Sequence, residues 1–164
     1  NWGRKRSEDM EFFVPPDNEE QRKKYEPEGY GCCGPAAVAA LMRMPVYRII
    51  DNWPCEYKGW GPMKEMQEVL EKLRIPFVRV RGMKAKKFPR SKSGCAIVRI
   101  QWLKDDGMEY YWADATCHTH YVLMLKIDEK WWVFCNGQGW FLADKKEEEY
   151  LKLGYVSSYF EISR

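Results

Sequence analysis

Histidine is nearly missing from this chain of 164 residues, which has only His118 and His120. Any imidazole chemistry must therefore run through one of those two. Long apolar runs are missing too: none approaches the roughly 18 residues that a membrane-crossing helix needs, so no membrane span is expected. Charge of one sign is absent, with 27 Lys and Arg spread among 24 Asp and Glu for a net charge of +3. That balance argues against nucleic acid as a partner. The basic stretch Lys84, Lys86, Lys87, Arg90 and Lys92 reads as a solvated loop. No C-x-x-C pair occurs, and Cys117, His118, His120 and Cys135 do not follow zinc-ribbon or zinc-finger spacing. Neither a metal nor a cofactor is expected. The six cysteines are too sparse for a disulfide framework. Cys95 and Cys135 lie in apolar, strand-like runs and read as buried free thiols. This points to a reducing compartment. No repeat, low-complexity tract or secretory signal is visible. The chain begins at Asn1 rather than methionine, which leaves open a leader, an upstream domain, or a place in a larger precursor or assembly.

The composition is that of a folded globular chain, with 45% hydrophobic and 31% charged residues and a length suited to one domain. Residues 1–28 read as a polar arm, in which Phe12, Phe13 and Val14 form a strand or a clamp and a short helix begins near Pro15 and Pro16. Residues 29–164 read as the single domain. The turn Gly29 to Pro35 leads into small apolar residues, Ala36 to Met42, which suit a helix buried all round. Pro35 fits its first turn, so Cys33 falls at or just before the helix N-terminus. A Trp-, Gly- and Pro-rich loop spans 51–62. Met63, Met66, Leu70 and Leu73 then recur at helical spacing. After Pro76 the pattern turns to strands at 77–80, 95–102, 108–113, 121–127, 131–135, 140–142 and 155–162, with a short helix over 144–153. Helices first and an antiparallel sheet second make an α+β fold.

A thiol nucleophile needs a lowered pKa, a base within reach and a group that orients the base. A helix N-terminus supplies unpaired N–H groups and a positive dipole end, so Cys33 is the candidate nucleophile. Its backbone N–H can also receive an oxyanion. Gly31 and Gly34 leave room for a substrate. His120 opens the strongest strand and is the candidate base, ahead of His118 in the preceding loop. Asn136 lies 16 residues on, where a hairpin turning at 128–130 brings the chain back beside His120. Its amide could hold the imidazole, although Asn136-Gly137 is also an ordinary turn dipeptide. Trp53 and Trp60 are candidate walls of a substrate cleft.

The order Cys, His, Asn resembles the papain-like superfamily of cysteine peptidases. Cys33-Gly34-Pro35-Ala36 is similar to the nucleophile motif of the bacteriocin-processing, double-glycine-leader peptidases, and His120-Tyr121-Val122-Leu123 to their histidine motif. The resemblance covers about residues 28–142. It implies a papain-like fold, with N-terminal helices on a C-terminal antiparallel sheet, and a Cys33–His120–Asn136 triad that cleaves a peptide or protein substrate such as a leader peptide or polyprotein. It also implies a cytoplasmic or virion-associated protein. The chain departs from the family in two respects. A Gln usually stands five or six residues before the nucleophile, where this chain has Glu28 and Pro27. Tyr30 and Gln138 are then the candidate side-chain oxyanion donors. The third member is Asn136, where the leader peptidases more often have Asp. Two other readings keep the fold: a deamidase or acyltransferase, and an inactive interaction or virion module.

Overall fold

The computed structural model describes residues 12–16, 32–59 and 61–163. Most of the 1–28 arm lies outside those residues, as do Gly29, Tyr30, Gly31 and Trp60. The helix expected from Pro15 onward falls largely outside them as well.

Among the described residues three helices come first: α1 (Cys33–Met42), α2 (Val46–Asp51) and α3 (Met63–Lys72). α1 is buried continuously from Gly34 to Leu41, as its run of small apolar residues dictates. It ends at Arg43, whose left-handed φ of 56° breaks the helix. α3 buries only the stripe of Met63, Met66, Val69 and Leu70.

The rest is a six-stranded antiparallel sheet: β1 (Phe77–Ala85), β2 (Cys95–Trp102), β3 (Thr119–Ile127), β4 (Lys130–Cys135), β5 (Gly139–Leu142) and β6 (Gly154–Ile162). The strand order is β1-β6-β2-β3-β4-β5. Short helices α4 (Trp112–Ala115) and α5 (Ala143–Tyr150) interrupt the strands. The strand expected over 108–113 is absent. That stretch is loop and the start of α4, with Met108, Tyr111 and Trp112 exposed. Aromatic content there imitates a strand, but no described strand pairs with it.

Alternate residues of the central strands enter two cores. Ile97, Tyr121, Leu123, Leu125 and Phe134 pack under α1 and α3. Ala96, Val98, Val122, Met124, Val133 and Cys135 pack on the opposite face, with Phe141, Ala143 and Leu151. Burial on both faces explains why β3 reads as one apolar run. β3 and β4 join through Asp128 and Glu129, both at positive φ (49° and 66°), the conformation a two-residue hairpin turn requires.

The arm is a clamp rather than a strand at its described part. Phe12 packs on Trp132 and Trp140, with ring centroids 4.5 and 5.4 Å away. Trp140 donates its indole N–H to the Phe13 carbonyl at 3.0 Å. Among the described residues no helix is long and apolar enough to cross a membrane.

Candidate active site

Cys33 is the first residue of α1, and no described side chain caps that helix end. Its thiol is half-buried. Burial pushes its pKa up. The charge and hydrogen bond of His120, with the backbone N–H groups of Tyr121 and Gly34, outweigh burial and bring it below the ordinary thiol value. Gly34 is tightly enclosed: a Cβ there would stand 3.3 Å from Met66 Cε and from Tyr121 Cδ2. Glycine is what lets α1 lie this close to β3.

His120 belongs by alternation to the face of Val122 and Met124, opposite α1. It still meets Cys33 because the β3–β4 pairing runs from Ile127↔Lys130 only to Leu123↔Phe134. Both His120 and Cys135 lie beyond that last pair, where the sheet parts.

The ring's second neighbour is a sulfur. His120 Nε2 is 3.2 Å from Cys135 Sγ. The Tyr150 hydroxyl donates to the same sulfur at 3.1 Å. Burial works to discharge the imidazole, but Cys33 first and Cys135 second push its pKa up to about 10. Burial raises the Cys135 thiol, yet the bond and charge of His120, the Tyr150 hydroxyl and the Gly137 N–H bring it down to about 7. Burial and the neighbouring Cys135 raise the Tyr150 phenol, which stays protonated and so remains a donor. Trp102 and Tyr150 confine the ring from 5.9 and 6.5 Å.

The other sequence candidates fall as follows. Asn136 is exposed in the β4–β5 turn, so Cys135, not Asn136, stands against the ring. Strand alternation explains the difference, since Cys135 faces the same way as His120 and its successor does not. Gln138 is exposed in the same turn and lines a cavity of about 480 Å³ together with Trp102, His120, Cys135, Lys146, Glu149 and Tyr150. Trp53 is not a cleft wall. It is buried against α3, donates its indole N–H to Glu65 at 2.8 Å, and supports Gly34 from below. Tyr30, Gly31 and Trp60 lie outside the described residues. His118 stacks on Tyr110 at 3.7 Å between ring centroids, and its carbonyl accepts from Gln101. Gln101 also bonds the Ala115 carbonyl, which fixes the loop entering β3. Among the described residues no group of three or more Cys, His, Asp or Glu is placed to hold a metal.

Sequence reasoning did not find the roles of Cys135, Tyr150 and Trp102. The signal for Cys135 was available in its parity: with a two-residue turn at 128–129, residue 135 falls opposite Val122 and shares its face. Tyr150 carried no such signal, because its helix reaches the site only through tertiary packing. No family model matches this chain, and no curated protein matches it.

Proposed function

We propose that this protein is a cysteine peptidase of papain-like arrangement, with Cys33 as nucleophile and His120 as base. One observation carries the reading: a thiol on the uncapped N-terminus of a buried helix is coupled to the half-buried imidazole of His120, and their mutual charge favours the thiolate–imidazolium form. The order of elements supports it, with the nucleophile helix first and the base on the following antiparallel sheet.

In this reading the Cys33 thiolate attacks the scissile carbonyl carbon and a C–S bond forms. The oxyanion accepts from the backbone N–H of Cys33 at the helix N-terminus. The His120 imidazolium gives its proton to the leaving amine as the C–N bond breaks. Water then yields a proton to His120 and attacks the thioester. The acid departs, and the thiolate–imidazolium pair returns.

The test is incubation with a peptide library read by mass spectrometry, with and without an added primary amine. Cleavage that is lost in Cys33→Ala supports the reading. Transfer of the acyl group to the amine without hydrolysis would make the protein an acyltransferase. No turnover, with Cys33 no more reactive than the exposed Cys55, would contradict an enzymatic role.

A further inference from the structure

We propose that Cys135 is the residue that positions the base: its thiolate accepts the His120 Nε2–H, and the Tyr150 hydroxyl fixes the sulfur. This rests on the peptidase reading above and assigns the position that a side-chain amide or carboxylate would otherwise fill.

The geometry has three parts. The sulfur lies 3.2 Å from Nε2, and Asn136, the neighbouring amide, is exposed in the turn. With Nε2 engaged, Nδ1 is the nitrogen left for Cys33. Cys135 is only 4% exposed, so this contact is not traded for water. The Tyr150 hydroxyl completes the shell from α5 at 3.1 Å. A tyrosine O–H donates to the sulfur and leaves the thiolate as acceptor toward the ring. The titratable groups facing this cluster are Cys33 from α1, Cys135 from β4 and Tyr150 from α5. Lys146 and Glu149 of α5 line the adjoining cavity. Lys146 and Glu149 are both exposed and carry opposite charges, so Cys135 is the buried acceptor on that side of the ring.

An anion in this place has two effects. It stabilises the imidazolium, and it holds the ring so that Nδ1 faces the nucleophile. Sulfur is a large, soft acceptor whose charge appears only as the pH passes its own pKa. A carboxylate would supply that charge at all working pH values.

The test is an NMR titration of histidine labelled with carbon-13 at Cε1, with His118→Ala assigning the two signals. In the wild type His120 stays charged until about pH 10. Cys135→Ala and the near-isosteric Cys135→Ser move that midpoint down by about one pH unit or more, a tenfold change in proton affinity. Tyr150→Phe moves it the same way by less, and Cys135→Asp restores it. Iodoacetamide labelling of Cys33 follows the same order across these variants. If Cys135→Ala and Cys135→Ser leave the midpoint unmoved while Cys33→Ala moves it, the positioning role is overturned and the peptidase reading survives. A wild-type His120 midpoint near that of a free imidazole, at roughly 6.5, would overturn both.

Discussion

The two faces of the sheet are built by different means, and each contributes one side of the site. The α1–α3 face is an apolar core in which Ala36, Val38, Met66, Leu70, Leu123 and Phe134 are fully or almost fully buried. It places Cys33 by bulk packing. The α5 face carries a helix, Ala-Asp-Lys-Lys-Glu-Glu-Glu-Tyr, of which only Ala143 is buried. That helix is held by charge along its length and at its end by the Tyr150 ring, which packs on Phe88 and Phe141. Arg90 meets Asp144 at 2.8 Å and Glu147 at 2.9 Å, and Lys86 bonds the carbonyls of Leu151 and Gly154. It places Tyr150, and through it Cys135. Damage to the first face should therefore appear as lost stability, and damage to the second as lost alignment around His120.

The comparison is broken most strongly at its centre. Leu123→Ala removes a fully buried side chain under α1 and should cost about 2–5 kcal/mol in a denaturant melt. On the other face, a Cβ on Gly154 would stand 2.5 Å from Trp102 Cε3. Trp102 backs the His120 ring, so Gly154→Ala should cost about 1–3 kcal/mol and also slow Cys33 labelling. A stability loss with unchanged labelling would show that the two faces are not coupled in this way. Arg90→Ala comes next. Its pair with the largely exposed Asp144 contributes only about 0.2–1 kcal/mol, while Glu147 is mostly buried, and the larger effect should be a slower Cys33 labelling rate that no longer varies with salt, because the screened pairs are gone. The smallest effect belongs to Asn136→Ala, within about 0.5 kcal/mol and without change in Cys33 labelling. A tenfold drop would return the amide to the site.

pH separates the groups further. The His120 pKa is raised on folding, so its contribution to stability is complete below the unfolded value of 6.5 and is lost as pH rises through about 10. The Cys135 pKa is lowered, so its contribution is complete above 9.0 and is lost as pH falls through about 7. Both ions coexist between about 7 and about 10. Urea midpoints should fall in the wild type between 9.0 and about 10, where only the His120 contribution still changes, and His120→Ala should abolish that fall.

Much of this was legible before the structure. The all-round apolar run after Cys33 announced a buried helix, and the alternation in β2 with the continuous apolar run of β3 announced a sheet. The hairpin arithmetic brought the segment near 136 back to His120. It gave the distance but not the face, and so pointed to Asn136 where parity selects Cys135. Lys86 and Arg90 looked like solvent-facing charge because their partners, in the turn after α5 for Lys86 and on α5 for Arg90, lie more than 50 residues away. Trp53 looked like a cleft wall because a loop rich in Trp and Gly suggests an open surface. Its indole instead fills the space beneath Gly34. The misreadings of Lys86, Arg90 and Trp53 concern contacts distant in sequence, which local pattern cannot encode.

The most direct test of the Cys33–His120 pair is the pH-dependence of iodoacetamide labelling at each cysteine, read by peptide mass spectrometry in wild type and His120→Ala. Cys55 is the internal control: it is exposed, but burial and its bond to Glu65 raise its pKa. The account predicts fast labelling of the half-buried Cys33 near pH 6, lost in the variant, with Cys55 slow until well above neutrality. Slow labelling of Cys33 that rises only with an ordinary thiol's pKa, near roughly 8.5, and ignores His120→Ala would contradict it.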